Sequence, residues 1–168
     1  MPVKGRRAHH DERAYMIVGT RKGAFVYESD FQREKWKRTG PYLHDQAITS
    51  IAYDYRDQKS VFVASAGAGL HRTRDFGRTW EKVGKGLPRE ALSHVTIGHL
   101  TEPGTIWVGL DGGGIARSRD GGDSFEELAS FRTAEGASFR ASGDAKAPVV
   151  TSVVVTGSPK HLHVAVSS

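Results

Sequence analysis

The chain has no cysteine among its 168 residues. That excludes a disulfide framework and any thiolate metal site. Asparagine is absent too, so no N-glycosylation acceptor exists. Apolar runs stay far shorter than the roughly 20 residues a membrane-spanning helix needs. Met1 to Arg13 is polar and basic, without the apolar stretch of a secretory signal, and the expectation is a cytoplasmic protein with no membrane partner. What the chain does hold is 20 glycines and a spread of Val, Ile, Thr and aromatics, the make-up of short strands joined by many turns.

The net charge is +5. Part of it sits in residues 1–13, where Lys4, Arg6, Arg7 and Arg13 stand beside His9 and His10. No aromatic side chains interleave with these charges, so the expectation is a disordered, solvated arm and not a nucleic-acid contact. The histidine pair has nothing nearby to complete a metal site, and no cofactor is expected.

One stretch recurs. Thr73-Arg74-Asp75-Phe76-Gly77-Arg78-Thr79-Trp80 reads as a tight turn between two strands. Asp75 is placed to accept backbone hydrogen bonds of its own turn, Gly77 to take a positive φ, and Trp80 to supply an apolar anchor. The pattern returns as Ser118-Arg119-Asp120-Gly121-Gly122-Asp123-Ser124-Phe125, and in worn form from Ser29 to Trp36, where Phe31 and Arg33 replace the Asp and the Gly. The period is about 45 residues with four short strands per unit, which is the size of a propeller blade. The apolar strands Tyr15 to Thr20, Val61 to Ser65 and Ile106 to Leu110 keep step with it, and Leu162 to Val166 begins a fourth after a longer connection.

Naming the strands A to D from the axis outward, the chain reads B-C-D, A-B-C-D, A-B-C-D, A-B. That is all-β and antiparallel, about three to three and a half blades. The expected divisions are blade 1 over 15–40, blade 2 over 47–84, blade 3 over 92–130 and the start of blade 4 over 148–168. Open blade edges invite self-association, by a truncated chain or by a partial propeller that a second chain completes. Trp36, Trp80 and Phe125 share one repeated position, each expected to fill a gap between blades.

The pattern Ser/Thr-x-Asp-x-Gly-x-Thr/Ser-aromatic resembles the Asp-box, or BNR repeat, of the sialidase-like β-propellers. Val18-Gly19-Thr20-Arg21-Lys22-Gly23-Ala24-Phe25 through Gly40-Pro41 is similar to the first blade of bacterial BNR-repeat proteins labelled exo-sialidase. The resemblance implies that the boxes are structural, with Thr73, Asp75, Gly77, Trp80, Ser118, Asp120, Gly122 and Phe125 as their residues. It places the ligand site on the opposite face, over the axis, where B–C and D–A loops meet.

On that face the candidates are Arg21, His44, Asp45, Arg89, Asp111, Arg132 and Arg140. Arginines suit a carboxylate clamp because their bonds are charge-assisted and bidentate. Yet the Arg-Ile-Pro segment of sialidases is absent and no Tyr/Glu pair can be placed. Asp45 with Asp111 is the candidate carboxylate pair for a two-carboxylate glycosidase. Asp111-Gly112-Gly113-Gly114 lacks the tail of a phosphate loop. Asp120, Asp123 and Glu126 fail the spacing of a calcium loop. The expectation is a catalytically incomplete binding propeller for a glycan or a protein. The alternatives are a fragment of a sialidase-like or xyloglucanase-like hydrolase and an assembly-factor propeller with a protein client.

Overall fold

A computed structural model describes residues 13–88, 90–133, 149–156 and 161–167. Thirteen strands form four antiparallel sheets. The first holds β1 (Ala14–Thr20), β2 (Gly23–Ser29) and β3 (Trp36–Tyr42) in that order. The second runs β4 (Ile48–Tyr53), β5 (Val61–Ser65), β6 (Leu70–Thr73), β7 (Glu81–Val83), and the third β8 (Leu92–Ile97), β9 (Ile106–Leu110), β10 (Ile115–Ser118), β11 (Glu126–Glu127). The fourth pairs β12 (Val149–Val155) with β13 (Leu162–Ser167). Each strand pairs with the next in sequence through a short connection, so every sheet is a meander.

The sheets pack side by side through their leading strands. Thr49 on β4 donates its hydroxyl to the Leu92 carbonyl at 2.7 Å, and Ser50 donates to the Val95 carbonyl at 3.3 Å. Strands β5 and β9, covered by their own leading strands and by neighbouring sheets, are buried at every residue. β1, for which no leading strand is described, is only half-buried. The arrangement is an incomplete β-propeller, and its core runs from Phe62, Ala64 and Leu70 of one blade to Val95, Ile106, Val108 and Phe125 of the next.

The repeated small residue in the second strand of each blade has a packing reason. A Cβ built on Gly19 would lie 2.5 Å from Ile48 Cγ2, and one on Gly109 would lie 2.8 Å from Val150 Cβ. Side-chain volume there would push the next blade away. Gly109→Ala is expected to destabilise by about 1–3 kcal/mol, read from the urea midpoint at unchanged m-value.

Several expectations need correction. Phe125 is buried at 7% exposure and Trp80 is half-buried near Tyr42 of the first blade, but Trp36 is 40% exposed. The described residues place no blade outside Trp36, so that ring seals nothing. Strand β3 runs on to Tyr42, past the expected end of blade 1 at residue 40. The segment after β11 opens with a short helix, α1 (Ala129–Thr133), in a chain expected to be all-β. Arg13, assigned to a disordered arm, is anchored to the Glu28 carboxylate at 2.5 Å.

Candidate functional site

The acid–glycine turns are built as their chemistry requires. Asp75 accepts from the Thr79 N–H at 2.8 Å, the Thr79 hydroxyl at 2.7 Å and the Thr73 hydroxyl at 2.8 Å. Thr73 in turn accepts from the Gly77 N–H at 2.8 Å. Asp120 repeats the set with Ser124 and Ser118. The bond from the Ser124 hydroxyl, helped by its backbone N–H, holds the Asp120 carboxyl down at about 2. Burial pushes the Asp75 carboxyl up, but the bonds from Thr79 and Thr73 outweigh it and the carboxyl stays below the usual range. The worn turn survives by substitution: Arg33 takes a left-handed φ of 57° where Gly77 has 88°, and Asp30 accepts from the Arg33 N–H. The Trp36 and Trp80 indole N–H groups each donate to the carbonyl at this position, at 3.1 Å.

These turns also seat each blade on its predecessor. A Cβ on Gly77 would meet Val26 Cγ2 at 2.5 Å, and one on Gly122 would meet Phe62 Cε1 at 2.7 Å. The Gly84 and Lys85 N–H groups donate to the Gly122 and Asp123 carbonyls, and Phe125 N–H donates to the Lys85 carbonyl. Arg72, nearly fully buried on β6, spans the junction: it bonds Glu81 at 2.8 Å, the Gly121 carbonyl at 2.8 Å and Asp123 at 2.9 Å. The three acids of the discarded calcium reading are thereby taken up separately, Asp120 by hydroxyls, Asp123 by Arg72 and Glu126 by Arg117. Among the described residues no three His, Asp or Glu side chains are grouped to hold a metal.

The hairpins and loops at the other end form one continuous rim. Asp45 N–H donates to the Lys22 carbonyl, Ala66 N–H to Ala47, Gly69 N–H to Glu90 and Asp111 N–H to Ala91, all within 3.2 Å. Asp111 also bridges Val149 through its backbone. Arg21 is exposed on the first hairpin. Exposed His44 and Asp45 pair with each other at 2.8 Å. Glu90 pairs with Lys82. Asp45 and Asp111 stand on rim segments with the 66–69 hairpin between them, tied to Ala47 on one side and Glu90 on the other. Arg89 and Arg140 lie outside the described residues, and Arg132 falls in α1 with its side chain undescribed.

Sequence reasoning missed a groove at the turn end of the first two blades. It has a volume of about 440 Å³ and is lined by Tyr15, Ile17, Ile51, Tyr53 and Phe76, among others. Tyr15 stacks on Phe76 at 4.6 Å. Phe76 sits at a variable place in the turn pattern, so spacing gave it no role.

Two histidines sit inside the blade stack. His71 on β6 is buried with its Nδ1 unpaired, and His94 on β8 meets the Ser50 hydroxyl at 3.3 Å. Burial pushes both below the usual 6.5, with Lys82 adding to the effect at His71. The unfolded chain therefore binds more protons than the folded one as pH falls through 6.5. Stability is expected to be full above that value and to decline below it, with a lower urea midpoint at about pH 5.5 than at about pH 7.5. An equal midpoint would contradict the buried placement. Asp75 and Asp120 add a second decline further down, as pH falls from 3.8 towards about 2.

No protein-family model and no curated protein matches the chain. Solved structures do. It is similar to YCF48 from Cyanidioschyzon merolae, with 17% identity and a TM-score of 0.55, covering 88% of this chain and 44% of that one. A structure of YCF48 bound to D1 peptide matches with 17% identity and a TM-score of 0.51, over 71% and 37% of the two chains. An ancestral GH74 enzyme matches with 18% identity and a TM-score of 0.52, over 68% and 17%. The chain thus spans less than half of each of these structures, and the likeness is one of fold: this chain is an incomplete antiparallel β-propeller.

Proposed function

We propose that the chain is a binding scaffold whose ligand face is the rim of hairpins and loops carrying Arg21, His44, Asp45 and Asp111, with Arg89, Arg132 and Arg140 completing it. The ligand is a protein segment. The observation that carries this reading is the backbone tie from Lys22 and Asp45 through Ala47, Ala66, Gly69 and Glu90 to Ala91 and Asp111. It ties short loops into one rim, and charged loops on a rigid scaffold are a common binding surface. The likeness to a propeller solved with a bound peptide supports a protein ligand over a glycan. An assembly factor with a protein client is the finer form of the same reading. The turns fit the Asp-box pattern of sialidase-like propellers, used here as structure.

The likeness to a GH74 enzyme favours a second reading, a hydrolase fragment. Against it stands Asp45, which is exposed and paired with His44. Two assays separate the readings. Aryl-sialoside and xyloglucan turnover is expected to stay at background, and a peptide array is expected to yield binders that weaken when Arg21→Glu reverses the rim charge. Turnover abolished by Asp45→Asn or Asp111→Asn would overturn the binding reading.

A further inference from the structure

The rim is uneven in charge. Arg21 and Lys22 stand exposed at the tip of the first hairpin, and their side chains make no ion pair or hydrogen bond among the described residues. Thr20 fixes that tip: its hydroxyl donates to the Gly23 carbonyl at 2.8 Å and accepts from the Lys22 N–H at 3.0 Å. The acid tied to this hairpin through the backbone is Asp45, whose N–H donates to the Lys22 carbonyl at 3.2 Å. Its carboxylate is engaged by His44 instead, at 2.8 Å, in a loop shaped by the left-handed φ of Leu43 and Asp45, 54° and 60°. Glu90, further round, is held by Lys82. The next two hairpins carry no cation: residues 66–69 read Ala-Gly-Ala-Gly and residues 111–114 Asp-Gly-Gly-Gly.

A second observation concerns Gly67. It is exposed on the 66–69 hairpin and its φ lies outside the left-handed region, so the turn does not require glycine. A Cβ built there would meet only Gln46 Oε1 among the described residues, at 3.7 Å, which is ordinary contact. Packing does not require glycine either. Gly77, Gly109 and Gly122 differ, since a Cβ on each would strike the neighbouring blade at 2.5–2.8 Å. The remaining use of a glycine is to let another main chain pass close by. The hairpin is held for that: Ala66 N–H donates to the Ala47 carbonyl, Ala68 N–H to the Ser65 hydroxyl and Gly69 N–H to the Glu90 carbonyl, all within 2.9 Å.

We infer that the protein segment bound at this rim is acidic: its main chain crosses Gly67 beside the Gln46 amide, and its Asp or Glu side chains extend to Arg21 and Lys22. The inference rests on the rim being the ligand face, and adds what the ligand carries and where it lies. Asp45 and Ala47, with Gln46 alone between them, bond to Lys22 and Ala66 of the two hairpins. About four extended residues of ligand therefore span from Gly67 to Lys22. Arginine grips a carboxylate through two parallel bonds and lysine attracts it as a point charge. A basic segment would be repelled at this end of the rim.

The test is a fluorescence-anisotropy titration of the full chain with labelled, capped octapeptides of alternating Glu-Ala, Gln-Ala or Lys-Ala. It is run at about 0.15 M salt, where charges more than about 8 Å apart are screened. The Glu-Ala peptide is expected to bind saturably, about tenfold or more tighter than Gln-Ala. Reversing both cations, Arg21→Glu with Lys22→Glu, should transfer the preference to Lys-Ala, which a misfolded protein would not do. Gly67→Leu should leave the urea midpoint unchanged and weaken Glu-Ala binding about tenfold. Undiminished Glu-Ala binding by Gly67→Leu would overturn the inference, because attraction to the net charge would then explain the binding. Gln-Ala or Lys-Ala bound as tightly as Glu-Ala, and weakened by Gly67→Leu, would overturn it while leaving the rim as the ligand face. Binding of none of the three would sink the rim reading with it. A labelled oligodeoxythymidylate bound more tightly than Glu-Ala, and lost in Gly67→Leu, would also overturn it by making nucleic acid the occupant.

Discussion

Phe125→Ala is expected to lower the unfolding free energy by about 3–5 kcal/mol, a large part of the roughly 5–15 kcal/mol that holds a domain together. The ring belongs to a core shared by two blades, and Phe62 and Ile106 are both fully buried in it. Removing it leaves a cavity at a junction that the Gly84, Lys85 and Phe125 backbone bonds hold in place. The same position in the other blades gives a graded series. Trp80→Ala is expected to cost less, because the ring is only half-buried and faces Tyr42 of the first blade at 6.2 Å between centroids. Trp36→Ala is expected to fall within about 1 kcal/mol, as for an exposed side chain with one local bond. Chemical denaturation of the three variants checks the order. A Trp36→Ala loss equal to that of Phe125→Ala would contradict the placement of the blades.

Gly122→Val should be as damaging for a different reason. The residue has φ of +93°, where a side chain costs about 1–2 kcal/mol. Its Cβ would also lie 2.7 Å from Phe62 Cε1 and 3.3 Å from Ile106 Cδ1, adding about 1–3 kcal/mol of overpacking. The expected total is about 2–5 kcal/mol. Gly121→Val is the control: its φ is also positive, at 78°, but nothing lies within 4 Å of its Cβ. It should pay the backbone cost alone. Thermal or urea denaturation separates the two; equal losses would show that the turn does not press on the preceding blade.

How far the sequence reached can be argued from these same residues. Strand order and the three turns were legible because each is set by local rules: alternation within a strand, an acid that caps its own turn, a glycine with positive φ. Relations between blades were not. Asp75 and Gly77 can be read from spacing, but Arg72 reaching Gly121 and Asp123 joins groups about one repeat apart, and nothing in a repeat pattern says which neighbour a side chain faces. Trp36 illustrates the same limit. It matches Trp80 in sequence and in its indole bond, and differs only in what lies outside it. The rim candidates fared unevenly for a similar reason. Position in a loop gave Arg21, His44, Asp45 and Asp111 a common face, but spacing could not supply the pairing of Asp45 with His44. Nor could it reveal that the buried Trp107 indole N–H has no hydrogen-bond partner among the described residues.

The third blade's turn is seated on the second blade's outer edge, where Lys85 and Ser124 pair as neighbouring strands do. The absence of native cysteine makes this directly measurable. In the double variant Lys85→Cys, Ser124→Cys, mild oxidation is expected to give one intramolecular disulfide. The oxidised form should be more stable than the reduced one by up to about 4 kcal/mol for a loop of this length. Failure to close, or cross-linking between molecules instead, would contradict the blade-on-blade seating that makes this chain a propeller.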